Sequence, residues 1–469
     1  MAKKNTPYFR DKLTTVDDKG KRVWLYPKKT KGTFFDKRQI LAIVLLALLY
    51  VGPFLKWHGE PLMLFNIMER KFILFGVVFW PQDFYLIVLL LITTILFVVL
   101  FTVIFGRLFC GWICPQTIFM EFVFRKIEYL IEGNTVAQRR LSKQSMNFEK
   151  LWKKSLKHFI FFLMAFITAN IFLAYVIGAD QLMILIKEGP LQHLSGFTGL
   201  LIFSGVFYFN FAFFREQMCT IACPYGRLQS VLIDPKTIIV AYDYKRGEPR
   251  GPLSKAKKGN FGDCIDCNAC VAVCPTGIDI RNGTQMECIN CTACIDACNA
   301  TMAKVKRPKG LIRYVSEEGI ETGKHRLFNT RSIAYSVVLT LLLLFVGTLF
   351  VIRGNYDVTI LRARGSMYQE YGRDSLSNIY NYNFVNKSRK AVHVDMKLIS
   401  PSGRIHFIGD LLTVPAGKAG NGTFMVVLPR KGMKASMIPV VIGLYDNGKK
   451  VEDYHSTFVA PNNLDKRVK

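Results

Sequence analysis

Eight of the twelve cysteines fall within 35 residues, in two copies of one spacing. The first copy is Cys264, Cys267, Cys270 and Cys274, followed by Pro275; the second is Cys288, Cys291, Cys294 and Cys298. Three thiolates at three-residue steps can wrap one face of a cubane, and a remote fourth closes it. This is the spacing that holds [4Fe–4S] clusters in bacterial ferredoxins, where the fourth cysteine of each run ligates the other cluster. The expected ligand sets are therefore Cys264, Cys267, Cys270 and Cys298 for one cluster, and Cys288, Cys291, Cys294 and Cys274 for the second. Structural zinc instead uses two cysteine pairs with a longer spacer, often with histidine. Disulfides need an oxidising compartment, and the basic flanks argue against one. The second run ends in Cys298-Asn299 where the first ends in Cys274-Pro275. Proline is not a ligand, so that difference concerns local geometry.

The other four cysteines form two identical motifs, Cys110-x-x-x-Cys114-Pro115 and Cys219-x-x-x-Cys223-Pro224, offset by 109 residues. On a helix, positions i and i+4 share a face, so each motif is expected to present two thiolates together. Proline after the second cysteine is expected to end or kink that turn. The offset implies a parallel internal repeat that brings all four sulfurs to one membrane edge. Soft thiolates select Cu(I), zinc or an iron–sulfur centre, or cycle between dithiol and disulfide. Cys110, Cys114, Cys219 and Cys223 are thus candidate catalytic and metal-binding residues, with the metal left open. A lone cysteine there would read as a small buried hydrophobe; two matched pairs do not. Arg107 and Arg215 read as topology anchors, although arginine beside a thiolate lowers its pKa. His58, Met63 and Met68 share a loop and include copper-type donors, but interfacial packing is the simpler reading.

The elements that must position these residues are apolar spans. They are Ile40–Leu55, Phe84–Phe105, Phe159–Ala179, Phe197–Phe214 and Ser332–Ile352, most near the twenty residues that cross a bilayer core. Half of the residues are hydrophobic (51%), and the net charge of +28 gathers beside these spans. That favours a lipid bilayer as the partner over nucleic acid, for which no basic–aromatic groove is present. Residues 1–39 hold twelve Lys/Arg, 107–157 ten and 215–331 eighteen, whereas the loops at 56–83 and 180–196 hold few. By the positive-inside rule the N-terminus and the cluster region are expected in the cytoplasm and residues 353–469 outside. No secretory signal is expected at the N-terminus. The interrupted apolar stretch Leu62–Trp80 is expected to lie in the interface. Beyond residue 353 the pattern becomes alternating, as in Val392, Val394, Met396 and Leu398, with turn signals such as Asp446-Asn447-Gly448. About seven short strands without cysteine predict an immunoglobulin-like sandwich.

The expected architecture is a multidomain membrane protein: a five-helix transmembrane bundle, an inserted two-cluster ferredoxin-like α+β domain and a C-terminal immunoglobulin-like β-sandwich. The segments are a basic cytoplasmic lead (1–39), a four-helix membrane domain with both Cys-x-x-x-Cys-Pro motifs (40–235) and a linker with the ferredoxin domain (236–331). A fifth helix (332–352) and a periplasmic sandwich (353–469) complete the chain.

Further stretches carry a resemblance. Phe79-Trp80-Pro81-Gln82-Asp83, Cys110-Gly-Trp-Ile-Cys114-Pro115-Gln116-Thr117, Cys223-Pro-Tyr-Gly-Arg-Leu-Gln229, Ala241-Tyr-Asp-Tyr-Lys-Arg-Gly-Glu-Pro-Arg-Gly251 and Cys274-Pro-Thr-Gly-Ile-Asp-Ile-Arg-Asn-Gly283 resemble the cytochrome oxidase accessory family CcoG/FixG/RdxA. The resemblance covers most of the chain. It implies a multi-pass protein of the bacterial inner membrane, needed to assemble a cbb-type cytochrome c oxidase, that reduces Cu(II) to Cu(I) for copper insertion. It also implies partners: oxidase subunits or copper-delivery proteins, and a cytoplasmic electron donor. Two other classes fit the residues. One is a ferredoxin-type membrane subunit exchanging electrons with quinol for a respiratory reductase; the other is a non-catalytic copper-binding assembly chaperone. Two clusters require about eight iron atoms per chain. Metal analysis and EPR on anaerobically purified protein are expected to find them, and a value near twelve would assign a further iron–sulfur centre to the four remaining thiolates.

Overall fold

The computed structural model describes residues 14–461, except positions 18, 58–59, 68–70, 253–260, 324–329, 364, 366, 373, 389, 410–412, 432, 434 and 447. His58 and Met68 therefore lie outside the described residues. The chain forms two compact units, Met1–Gly76 with Ile87–Val346, and Val77–Leu86 with Gly347–Lys469.

Four helices among the described residues are long and apolar enough to cross a bilayer: Pro81–Phe105, Phe148–Ile177, Leu194–Phe214 and Thr330–Ile352. The expected span Ile40–Leu55 is not among them. It belongs to a helix that begins earlier, Thr33–Val51, and so takes in Asp36, Lys37 and Arg38. A short turn at Gly52–Phe54, with Pro53, stops it. The reason for the early start is a cap supplied from far away in sequence. Gly32 has no side chain with which to cap the helix, and the Asp296 carboxylate accepts the N–H groups of Phe34 (3.3 Å) and Phe35 (2.8 Å) instead. A Cβ on Gly32 would overlap the Asp296 side chain. At its far end the Thr33–Val51 helix lies along Phe148–Ile177, where Tyr50 bonds Thr168 (2.7 Å) and Tyr175 donates to the Leu49 carbonyl (3.1 Å).

The stretch read as interfacial is partly a hairpin, with Met63–Asn66 paired antiparallel to Lys71–Leu74. Ile73 and Leu64 are buried there, whereas Phe65, Ile67 and Phe75 are exposed.

The Phe148–Ile177 helix starts eleven positions before the expected Phe159, because its polar first turns have buried partners. Lys157 pairs with Glu132 (2.9 Å) and Glu128 (3.5 Å), and Lys154 with Glu132 (2.7 Å). Arg215, read from sequence as an anchor at the lipid edge, is instead buried and grips both Glu128 oxygens (2.7 and 2.9 Å). Arg125 binds Glu216 (2.6 Å) and Glu121. A phenylalanine cluster sits beside this network, with Phe124 stacked on Phe211 and edge-on to Phe161.

In the second unit two antiparallel sheets face each other over a common apolar core. One runs in the order Arg404–Ile408, Ala419–Pro429, Ser375–Asn386, Tyr356–Arg362, with Gln369–Tyr371 also paired to Ser375–Asn386. The other runs Thr413–Val414, Val392–Ser400, Met437–Asp446, Lys449–Val459. Alternating residues fill the space between, led by Tyr380, Phe424, Val440 and Phe458, all fully buried. Tyr380 stacks on Phe424 and donates to the Thr457 carbonyl of the facing sheet (2.9 Å), a cross-link that needs no cysteine. Asp83 completes this unit: buried, it binds Arg353 (2.6 Å) and Lys387 (2.8 Å).

Burial alone would raise the Glu128 carboxyl, but the Arg215 guanidinium, helped by Lys157 and Arg125, outweighs it and holds the group at about 2, below its ordinary 4.5. A depressed carboxylate adds stability above its unfolded pKa and loses it as pH falls through the folded one. Acid unfolding is therefore expected to set in between pH 4.5 and about 2. Glu128→Gln, which strands a buried arginine, should cost about 3 kcal/mol, read as a lower denaturation midpoint in detergent at neutral pH.

Candidate redox centres

The two cysteine runs have the same backbone. In each, the residues on either side of the middle cysteine have positive φ: Asp266 (52°) and Asn268 (53°) around Cys267, Asn290 (52°) and Thr292 (64°) around Cys291. Asn and Asp tolerate this left-handed geometry; Thr292, β-branched, is the costlier case, and such strain gathers at functional sites. The third cysteine of each run then enters a helix, Cys270 in Ala269–Ala272 and Cys294 in Ala293–Lys304. Cys298 follows one turn after Cys294. Arg281 pins the first run by binding Asp266, Asn268 and Asp279.

This folding sorts the eight thiols into two cavities. Cys264, Cys267, Cys270 and Cys298 line one, walled by Tyr242, Met302 and Ile312. Cys274, Cys288, Cys291 and Cys294 line the other, which Cys270 also touches, walled by Val240, Ile278 and Ile280. Cys298 of the second run thus lines a cavity with the first three cysteines of the first run, and Cys274 of the first run lines one with the first three of the second. Burial pushes Cys288 and Cys298 up to about 12, and Cys270 and Cys291 up to about 11. Four soft donors converging on an apolar cavity fit a [4Fe–4S] group, whose iron would displace those protons. Asn299, in the place of the second proline, accepts the Gly310 N–H (2.9 Å) and so ties down the chain after the helix.

The Cys-x-x-x-Cys-Pro motifs differ from the expected single turn. Cys110 lies in a short helix, Leu108–Trp112, but Cys114 is extended (ψ 125°) and caps the next helix, Pro115–Ile118. Cys219 lies in the turn Met218–Ala222, and Cys223 (ψ 112°) caps Pro224–Leu232. Proline starts each second helix rather than ending the first, since its missing N–H costs nothing at the first helical position. The shared-face argument for i and i+4 therefore does not apply. Cys219 nonetheless lies within electrostatic reach of Cys114, Cys110 and Cys223. Burial first, then these neighbours, push Cys219 up to about 12; burial and Cys114 push Cys110 up to about 11. For Cys114 the rise from burial is opposed by the N–H groups of Thr117 and Gln116 at its helix start.

Several residues that spacing does not single out join this quartet to the second cavity. Arg107, read as an anchor, is buried; it donates to the Met286 carbonyl and acts electrostatically on Cys110, Cys219 and Cys288. Cys110 itself packs against the cluster of Ile289, Cys291, Val273 and Ala293, and its thiol reaches Gln229 Oε1 (3.5 Å). Gly111 lies so close to the Ile289 carbonyl that a Cβ would overlap it. Asn290 binds the Val240 N–H (3.2 Å) and the Phe105 carbonyl (3.5 Å), while Thr237 and Ile238 donate to Val103 and Ile104 (2.9 Å each). These bonds satisfy the carbonyls that the Phe84–Phe105 helix leaves open at its end. The glycine and proline of the motif were the available sequence signal; the roles of Arg107, Asn290 and Gln229 had none.

The family described as a 4Fe-4S dicluster domain matches residues 214–317, one described as a 4Fe-4S binding domain matches 86–139, and the "IG-like fold at C-terminal of FixG, putative oxidoreductase" matches 346–461. Protein RdxA of Cereibacter sphaeroides is 36% identical over 78% of this chain and 80% of its own length. Protein RdxB of the same organism is 32% identical over 86% and 90%. The nitrogen fixation protein FixG of Rhizobium meliloti is 36% identical over 63% and 58%. The crystal structure of a FixG-related protein from Vibrio parahaemolyticus is 16% identical and covers 23% of this chain and 97% of that one, with a TM-score of 0.19.

In metal-free protein the raised thiols are protonated at neutral pH, and the thiolate is the nucleophile. Alkylation of Cys110 and Cys219 is expected to be slow at pH 7 and to rise with pH toward about 11 and about 12, respectively, whereas exposed Cys267 is modified early. Peptide mass spectrometry after timed iodoacetamide exposure checks this order.

Proposed function

The chain belongs to the FixG/RdxA family of iron–sulfur membrane proteins, and from that premise we propose that it transfers electrons to reduce Cu(II) to Cu(I) for assembly of a cbb-type cytochrome c oxidase. The observation that carries the reading is the packing of Cys110 against the cluster of Val273, Ile289, Cys291 and Ala293, two of which, Ile289 and Cys291, line the second thiol cavity. A metal held by Cys110, Cys114, Cys219 and Cys223 would adjoin a redox group held by Cys274, Cys288, Cys291 and Cys294. Cys264, Cys267, Cys270 and Cys298 hold the outer group, with Cys267 exposed toward a donor. When bound, the clusters supply one-electron transfer.

The chain's own residues prepare the substrate side. Cu(II) takes one electron and becomes Cu(I), and all-sulfur ligation favours the softer product. Arg107 offsets the charge of thiolates that bind copper, and the helix starts at Gln116 and Thr117 do so for Cys114. Arg107 also fixes the spacing to Met286 on the ferredoxin side.

The protein sits in this reading in the bacterial inner membrane with its ferredoxin portion cytoplasmic, supported by the basic residues around that portion. In this reading the Thr33–Val51 helix, which runs beside Phe148–Ile177 and is shorter than the four apolar helices, is taken as a fifth crossing. The sandwich then faces the periplasm, where oxidase subunits or a copper-delivery protein would dock.

Purified protein with intact clusters and a chemical donor is expected to reduce Cu(II), trapped as a Cu(I) chelate. A variant with all four of Cys110, Cys114, Cys219 and Cys223 changed to serine should lose that activity while keeping its iron. Equal rates would sink the copper reading, and quinol oxidation insensitive to copper would favour a respiratory subunit.

A further inference from the structure

A cavity beside the second thiol cavity shares Cys291 with it. It holds about 400 Å³, within the range of small-molecule and cofactor pockets. Its walls come from the N-terminal segment Pro27–Thr30, the start of the Thr33–Val51 helix, the Arg125–Ile131 helix and the cysteine run near Cys291. The N-terminal segment is held in place: Lys28 N–H donates to the Ala272 carbonyl (2.7 Å), and Tyr129 and Thr135 both donate to the Pro27 carbonyl (3.0 and 2.8 Å).

The charge in this cavity is unbalanced. Lys28, Lys29, Lys126 and Arg38 line it, against one acid, Glu121, which Arg125 already engages. Lys29 acts on Lys126, whose ammonium is held below its ordinary range by burial and then by that like charge. No carboxylate pairs with Lys29 or Lys126 among the described residues. Arg38 is 3% exposed; its Nε donates to the Gly111 carbonyl (3.0 Å), but its Nη2 has no hydrogen-bond partner. A buried guanidinium N–H left unpaired is costly, and an oxyanion is its natural complement. Phe35 and Tyr129 add aromatic surface, and the Phe122 ring carries both Arg38 (5.3 Å) and Lys126 (5.6 Å). Cys291 contributes to the walls of both this cavity and the second thiol cavity.

We propose that this cavity binds a phosphorylated aromatic ligand of flavin mononucleotide size, with Arg38, Lys29 and Lys126 taking the phosphate and Phe35 and Tyr129 flanking the ring. An uncharged quinone would leave the cations unanswered. The inference shares with the proposed function only the reading that Cys291 holds a cluster. Binding needs neither copper nor turnover, so its failure leaves the copper assay untouched.

The test uses full-length protein with intact clusters in nanodiscs of neutral phosphatidylcholine, titrated with flavin mononucleotide while its fluorescence is followed. Saturable binding is expected, with riboflavin, which lacks the phosphate, and the Lys29→Glu/Lys126→Glu variant each weaker by about tenfold or more. Inorganic phosphate should compete. Iron content and visible absorption of the variant show that its clusters are retained. The proposal is overturned if riboflavin binds as well as the nucleotide, if charge reversal changes nothing, or if neither nucleotide nor phosphate binds. Phosphate binding without nucleotide binding also overturns it. So does co-purified anionic phospholipid that blocks the nucleotide and is lost in the variant, which would make the cavity a lipid headgroup site.

Discussion

The buried pairing of Arg215 with Glu128 is the constraint on which the membrane-side chemistry rests. It joins the helix that follows the first Cys-x-x-x-Cys-Pro motif to the residue that precedes the second. Arg215 itself sits at φ 53°, a conformation that a non-glycine residue holds only when its surroundings demand it. Charges this deep are poor sources of net stability but costly to break singly. Their consequence here is positional. With Arg125, Glu216 and Lys157 also engaged, the two repeats have little freedom to slide, and four cysteines from distant segments stay together.

The second constraint is the way the ferredoxin portion meets the helix ends. The last carbonyls of the Phe84–Phe105 helix need donors, and Thr237, Ile238 and Asn290 supply them. Asn290 also sits beside Cys291, so the residue that completes the membrane helix shapes the second thiol cavity. Gly111 permits the close approach of that loop, and Arg107 spans the gap. The N-terminus of the Thr33–Val51 helix is likewise completed by Asp296 from the cysteine-bearing helix. Membrane helices and cysteine runs thus finish each other's hydrogen bonding, and a short path between the two sets of thiols follows from that satisfaction.

The second unit obeys simpler rules. Alternation along its strands places Tyr380, Phe424 and Phe458 inside, and a tyrosine hydroxyl links the sheets where many such sandwiches use cysteine. Asp83, in a stretch that sequence reading took as part of a loop, draws its importance from Arg353 and Lys387, some 270 and 304 positions later.

The cysteine spacing by itself marked two runs of four thiols, because each run is local and its turns follow from Asp, Asn and Thr at fixed offsets. Apolar length likewise marked four bilayer-length helices, and alternation marked the sandwich, since both are periodicities of the chain alone. What tertiary structure decided was everything that needs a distant partner. The Thr33–Val51 helix starts early because Asp296 caps it, and Arg107 and Arg215 are buried because Met286 and Glu128 await them. Cys110 and Cys219 come within electrostatic reach of each other although their motifs are not the single helical turns that a count of i and i+4 suggests. Hydrogen bonds and ion pairs in a dry interior are satisfied wherever the fold brings a partner, and no local pattern encodes which partner that is.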